Sequence, residues 1–358
     1  MIKCSNTYYG SLTRIADLNT RPFKIEKAPR KSWATGDYIV GRYVGNEEGQ
    51  CGEANLELSD GSLQPLKLND LVVGALGDRQ ATYEVVGSWQ LIDEASHPVT
   101  MDMLCGSGVF GIETSRCSKH PPSPKFIYEG HCRRLGEKVC MKDFGPKVTR
   151  EVPHCKMILL VGSSMSSGKT FTGRAIINII KQDLGCKNVA AAKFTGVGYN
   201  HDIGQFAAAG ANFVCDFVDV GYPSTVMPAD QYRESVLPAV LQLLAEQNPD
   251  CIVAEVGASF EEYNGAEVLK TLLVSDARPT NVYLVLCASD AYGIVGLRQV
   301  LMAEGLNADI LGVSGMAACN AAASALVKRV NPGLEAFNLK DPSSVDDLRM
   351  LLKKSLLD

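Results

Sequence analysis

The stretch KMILLVGSSMSSGKT, residues 156–170, reads as a strand, a turn and the start of a helix. A continuous apolar run of this kind suits a strand covered on both faces. The turn that follows is rich in Ser and Gly, and Gly168-Lys169-Thr170 opens the helix. Backbone N–H groups in such a turn point at phosphate oxygens, with the helix N-terminus behind them. A lysine there neutralises the outer phosphates, and the threonine hydroxyl joins a Mg²⁺ shell. The candidate cradle is therefore Ser163, Ser164, Met165, Ser166, Ser167, Gly168, Lys169 and Thr170. Five residues separate Gly162 from Gly168, so the four-residue spacing of a phosphate loop holds only with Ser163 in first position. Ser163 is then expected to adopt the turn conformation that glycine normally supplies.

Working outward, apolar strands at 188–193, 212–218, 251–256, 282–287 and 310–313 alternate with helices over 169–182 and 229–247. This pattern predicts an α/β domain over 156–358, a doubly wound, mostly parallel sheet of P-loop NTPase type. Ligands of such sheets bind at the carboxyl ends of the strands. Glu255 ends CIVAEV and is read as a catalytic and Mg²⁺-binding carboxylate. Lys193 ends NVAAAK, with Thr195 close behind, and is read as holding a substrate carboxylate or the transferred phosphoryl group. Asp202 begins a short helical segment. Asp216 and Asp219 lie in CDFVDV, an apolar strand end where an unpaired carboxylate is costly. One of them is expected to meet Mg²⁺, Lys193 or substrate, the other to cap a turn. Asn320 and Ser289-Asp290 follow the last two strands and suit either base recognition or helix capping. His201 is either an acid–base group or an ordinary exposed loop histidine.

The N-terminal half has a different texture. GDYIVGRYVG (36–45), GEANLELSDG (52–61), LVVGALG (71–77) and ATYEVVGSW (81–89) predict short antiparallel strands in a smaller barrel- or sandwich-like domain over 31–115. Residues 1–30 read as an N-terminal arm. Residues 116–155 read as a basic, proline-containing connector, with ten Lys/Arg against four Asp/Glu over 116–156. A solvated linker is the plain reading of it, and a face toward a phosphorylated ligand the sharper one. GSGVFG (106–111) offers glycines without the strand-to-helix context of a phosphate loop. Cys105, Cys117, His120, His131, Cys132 and Cys140 have the elements of a zinc site but no C-x2-C pair.

The 358-residue chain carries a net charge of -5, with 46% hydrophobic and 21% charged residues. Such a composition gives no overall attraction to nucleic acid or anionic membranes. No apolar run reaches the roughly 18 residues of a membrane span. Cysteines placed singly in apolar stretches, after a start without a secretory pattern, predict a reduced cytoplasmic protein. The expected partner is a small-molecule substrate, with neither nucleic acid nor membrane, and homo-oligomerisation is open.

KMILLVGSSMSSGKT, AAAKFTGVG, CDFVDVGYPST and CIVAEVGAS together resemble the P-loop domain of a family of uncharacterised domains that includes D-glutamate N-acetyltransferases. More remotely they resemble dethiobiotin synthetase and the molybdopterin-guanine dinucleotide P-loop proteins, and the similarity covers roughly residues 155–335. In the synthetase-like relatives the second-strand lysine and the strand-end glutamate serve substrate and metal, which the resemblance maps to Lys193 and Glu255. The acetyltransferase relatives carry a Rossmann-like N-terminal domain, whereas this N-terminal half reads as β-rich, so substrate identity is not carried across. The leading expectation is an enzyme dependent on ATP and Mg²⁺, a kinase or ATP-activated ligase acting on a small carboxylate or amino-acid-like acceptor. Lys169, Thr170 and Glu255 hold the triphosphate in this reading, and Lys193 with Asp216 or Asp219 places the acceptor. One alternative is a CoA-dependent N-acyltransferase whose loop grips the CoA pyrophosphate. Another is a nucleotide-gated GTPase-like switch or metallochaperone, against which stands the lack of a guanine-reading N-K-x-D segment.

Overall fold

Short strands dominate the first part of the chain. In order they are β1 (Thr7–Tyr9), β2 (Lys24–Glu26), β3 (Tyr38–Gly45), β4 (Asn55–Glu57), β5 (Leu63–Pro65), β6 (Leu71–Leu76), β7 (Asp78–Gln80), β8 (Val85–Ser88), β9 (Thr100–Cys105), β10 (Val109–Arg116), β11 (Lys125–Arg134) and β12 (Glu137–Lys138). The computed structural model describes residues 6–45, 54–274 and 281–357. It divides the chain into two units, the first comprising Met1–Pro146, Val197–His201 and Phe217–Val226. In that unit the main sheet runs β1-β6-β3-β11-β9-β10-β8-β7, and a further β6–β10 pairing closes β6, β3, β11, β9 and β10 into a barrel. Alternating side chains fill it: Tyr43, Phe110 and Phe126 are buried, with ring centroids 5.4 Å and 5.1 Å apart in successive pairs. The hairpin expected around Ser59–Gly61 joins β4 to β5; Gly52 and Glu53 of that stretch lie outside the described residues.

Three expectations for this half are corrected. The described part of residues 1–30 is no arm, because β1 pairs in parallel with β6 and Leu12 is fully buried. Most of 116–155 is no connector, because β11 pairs with both β3 and β9 in the barrel wall, while 146–155 runs without helix or strand. Five of the basic residues there, Arg116, Lys125, Arg133, Arg134 and Lys138, pair with carboxylates of the same unit, Lys125 reaching Asp102 at 2.7 Å. The prolines flank the strand and leave its ladder intact. Gly106–Gly111 is no anion loop, since Gly106–Gly108 form the turn between β9 and β10.

The second unit comprises Lys147–Gly196, Asp202–Asp216 and Met227–Asp358. Its strands are β13 (Lys156–Gly162), β14 (Val189–Lys193), β15 (Phe213–Asp216), β16 (Cys251–Val256), β17 (Asn281–Cys287) and β18 (Asp309–Ser314). All pair in parallel, in the order β15-β14-β16-β13-β17-β18. Met157 through Val161 are fully buried, as an all-apolar strand in the middle of a covered sheet must be. The helices are α1 (Lys169–Gln182), α2 (Asn200–Ala208, its first two residues falling in the first unit), the single turn α3 (Ala229–Gln231), α4 (Leu237–Glu246), α5 (Gly265–Val274), α6 (Ala291–Ala303), α7 (Ala321–Val330) and α8 (Pro342–Leu357). Ile176, Ile177 and Ile180 of α1 are fully buried. This is the α/β class the pattern implied.

Two boundaries differ from expectation. The strand expected over 212–218 stops at Asp216, where the chain leaves for the first unit. The helix expected over 229–247 opens into a π turn at Tyr232–Val236. Pro238, without an N–H, cannot continue the regular hydrogen-bond ladder at that point. Among the described residues no helix is long and apolar enough to cross a membrane.

Candidate functional site

The turn after β13 is shaped by close approach. A side chain at Gly162 would place its Cβ 2.7 Å from Lys169 Nζ, so the bare backbone there is what lets the lysine fold back into the loop. Ser163 does not carry the left-handed turn conformation. Ser166 (φ 61°) and Gly168 (φ 94°) carry it instead, because Ser163 is still tied to the sheet by its N–H on the Cys287 carbonyl at 2.9 Å. The segment after β18 backs the loop, with Met316 N donating to Ser167 O at 3.1 Å.

Lys169 is only 4% exposed. Its ammonium donates to Ser164 O at 2.9 Å and Ala258 O at 2.8 Å, with Ser167 Oγ at 3.5 Å. Burial lowers its pKa, against the opposing pull of Glu255. One residue on, Thr170 Oγ1 donates to Glu255 Oε2 at 2.9 Å. Burial raises the Glu255 pKa above the ordinary carboxylate value, and the nearby Lys169 and Lys193 only partly offset this.

Lys193 stands on one rung of the sheet with Asp216 on one side and Glu255 on the other. Its ammonium is ion-paired with Asp202 in the first turn of α2. Although burial works against it, Asp202, Glu255 and Asp216 together hold the Lys193 pKa above the ordinary lysine value. The lysine expected to wait for an acceptor is therefore already enclosed by carboxylates. Thr195, fully buried, donates to Gly257 O at 3.1 Å.

Other expected residues lie elsewhere. Asp219 is a member of the first unit, ion-paired to Arg14 at 3.1 Å, and does not join Lys193. The chain leaves the sheet between Asp216 and Asp219, which separates two residues that look equivalent in sequence. Asn320 caps α7, accepting the Ala323 N–H on Oδ1 at 3.0 Å, and Asp290 caps α6 in the same way. Helix capping thus accounts for both. His201 has an exposed side chain and gives its backbone N–H to Glu57 at 2.7 Å. Among the described residues no three His, Cys, Asp or Glu side chains come together as a metal cage.

Sequence reasoning overlooked two contributors. Asp202 reaches Lys193 only through the turn into α2. The Ala258 carbonyl has no side-chain signature. That carbonyl belongs to an irregular loop after β16 that periodicity does not register. Non-glycine residues at positive φ cluster in that loop, at Ala258, Tyr263 and Asn264.

No protein-family profile matches the chain, and no curated protein matches it significantly. Among solved structures, HypB from Helicobacter pylori in complex with nickel is similar at 14% identity and TM-score 0.35, over 57% of this chain and 88% of that one. FlhF complexed with GMPPNP and Mg²⁺ gives 13% and 0.32, over 59% and 80%. A ParA family ATPase from Chlorobium tepidum TLS gives 12% and 0.34, over 58% and 93%. At these scores the likeness decides nothing by itself, and the α/β class rests on the parallel sheet and its helices.

Proposed function

We propose that the second unit binds a nucleoside triphosphate with Mg²⁺ and cleaves its terminal phosphoryl group, so that the protein is a P-loop NTPase. The observation that carries this reading is the Lys169–Thr170–Glu255 arrangement. A buried ammonium sits inside the loop, and a hydroxyl and a carboxylate meet beside it at 2.9 Å. Thr170 and Glu255 are both oxygen donors, and Glu255 is buried with its charge only partly compensated, which suits a hard divalent cation. Two protein oxygens completed by phosphate and water are the usual number for Mg²⁺. When bound, the ion would neutralise charge developing on the phosphate oxygens. The chain's own part is to cradle the phosphates with the N–H groups of Ser163–Gly168, to place Lys169 on the outer phosphates and to hold Thr170 against Glu255.

Lys193 supports water over a small carboxylate as the acceptor, because its ammonium is taken by Asp202. ATP and GTP remain equal candidates, as the Asn320 and Asp290 side-chain oxygens are committed to helix caps. The test is calorimetry of the full chain with ATP, GTP and acetyl-CoA, with and without Mg²⁺, alongside phosphate release. Mg²⁺-dependent triphosphate binding with phosphate release is expected. Silence toward both triphosphates sinks the reading, and metal-independent binding of acetyl-CoA alone transfers it to acyl transfer.

One observation favours a second reading, a nucleotide-gated switch. Phe217–Val226 follows directly on β15, and Val197–His201 comes three residues after the end of β14, yet both belong to the first unit. A shift at those strand ends has a covalent route into that unit. Protease protection of 197–226 that differs between the diphosphate and triphosphate states supports this reading, and identical protection removes it.

A further inference from the structure

Lys193 ends β14, and the parallel register sets it between two carboxylates, Asp216 on β15 and Glu255 on β16. Register partners on neighbouring strands present their side chains to one face of a sheet. Phe194 N donates to Glu255 O at 2.9 Å, which holds that register to the very end of β14. From there the lysine stem runs over bare backbone. A Cβ at Gly257 would come within 3.2 Å of Lys193 Cε, and one at Gly196 within 3.0 Å of Cε and 3.3 Å of Nζ. The ammonium ends on Asp202, in the first turn of α2, where the helix N-terminus also favours a carboxylate. One ammonium therefore has two carboxylates on its own rung and a third on α2, and it has gone to the third. Lys193 is 7% exposed, so water screens the choice little. With the ammonium on Asp202, Glu255 keeps Oε2 on the Thr170 hydroxyl at 2.9 Å. An ammonium turned to Glu255 instead would compensate the charge that the proposed Mg²⁺ is to meet.

We infer that Asp202 is a positioning residue, which holds the Lys193 ammonium away from Glu255 and so keeps Glu255 open to Mg²⁺. The inference rests on the Mg²⁺–nucleotide reading above. Asp202 touches neither the nucleotide nor the metal in this account, and it acts through Lys193 alone. Remove the Asp202 charge, and the buried ammonium turns to its rung neighbours, Glu255 among them, because a buried charge left without a partner is costly. A merely structural ion pair would behave differently: its loss would weaken the fold, and nucleotide binding would suffer equally with and without metal.

The test is calorimetric affinity of the full chain for ATP and GTP, each with Mg²⁺ and with a chelator in its place. Asp202→Asn is expected to weaken binding in Mg²⁺ about tenfold, the scale of a lost partner behind a metal ligand, and to leave metal-free binding within about twofold of wild type. Asp202→Glu, which keeps the carboxylate, should recover most of the loss. Adding Lys193→Met to Asp202→Asn removes the competing ammonium, and should return affinity in Mg²⁺ to within about threefold of wild type. That double variant strands no buried ammonium, so it carries the test even where Asp202→Asn alone does not fold. Affinity of Asp202→Asn in Mg²⁺ within about twofold of wild type overturns the inference. So does an equal loss with and without Mg²⁺, or a tenfold loss that persists in the double variant. A wild-type chain that binds triphosphate equally well without Mg²⁺ overturns it too. A wild-type chain that binds no triphosphate at all overturns the NTPase reading itself, which separates the two failures.

Discussion

Two buried charge clusters, Asp37 with its partners in the barrel unit and Glu255 with its partners in the α/β unit, have opposite characters. In the barrel unit Asp37 is 2% exposed and His131 is fully buried. Asp37 pairs with Lys138, accepts the Ala34 N–H at 2.8 Å and lies 3.3 Å from His131 Nε2. His131 Nδ1 in turn meets the Tyr128 hydroxyl. Burial alone would raise the Asp37 pKa, but His131 and Lys138 outweigh it and hold the carboxyl below its ordinary 3.8. In the α/β unit the balance runs the other way. Glu255 is 5% exposed, and burial prevails over Lys169 and Lys193, so its carboxyl stays above the ordinary 4.5. The first cluster is answered from within the chain. The second leaves the Glu255 charge only partly compensated, a demand that the proposed Mg²⁺–nucleotide would meet.

That contrast can be broken most sharply at Asp37. Asp37→Asn should cost about 3 kcal/mol in denaturant unfolding, the scale of a buried ion pair losing one partner. Nucleotide affinity should be unchanged, and a parallel loss of binding would erase the division between scaffold and site. The acid limb gives an independent check. Because the folded pKa lies below 3.8, the stability Asp37 contributes is complete above that value and is lost as pH falls through the folded pKa. Melting temperatures of Asp37→Asn below pH 3.8 should therefore fall less steeply than those of the wild type.

On the other side, Lys169→Ala should weaken triphosphate binding about a hundredfold in calorimetry, the scale of lost charge-assisted hydrogen bonds. Its melting temperature without nucleotide should stay near wild type, since burial disfavours the charge that is removed. Glu255→Gln should act more narrowly. Affinity in Mg²⁺ should fall about tenfold, near 1.4 kcal/mol, while affinity without metal is preserved. Equal losses with and without Mg²⁺ would make Glu255 a scaffold residue like Asp37. The smallest effect is expected at Asn320, where Asn320→Ala should cost about 1 kcal/mol of helix capping and leave any preference between ATP and GTP as it was.

The phosphate loop was legible because all its parts are adjacent in sequence: the apolar run, the glycines, and Lys169 beside Thr170. Glu255 was legible as a carboxylate closing an otherwise apolar strand, and its contact with Thr170 then follows from β13 and β16 being neighbours. What escaped depends on where the chain turns after a strand. Asp216 and Asp219 share one apolar run, and only the departure of the chain at residue 217 puts them in different units. β11 was hidden by the lysines, arginines and prolines around it, since basic residues at strand ends look like a solvated linker until their carboxylate partners are known. The loop that gives Lys169 the Ala258 carbonyl gave no signal either, because its left-handed residues include no glycine until Gly265.

The divided membership of the chain also governs how the molecule is made. The first unit owns Val197–His201 and Phe217–Val226, and within it Glu57, fully buried, accepts the backbone N–H groups of Asn200 and His201 at 2.8 Å and 2.7 Å. A nascent chain that has emerged only as far as Pro146 therefore lacks both donors to that carboxylate. The barrel can be finished only after Val226 has left the ribosome, by which time β13, β14 and β15 are also present. Synthesis thus interleaves the two units, and a gene cut after Pro146 would not separate them into two self-sufficient proteins.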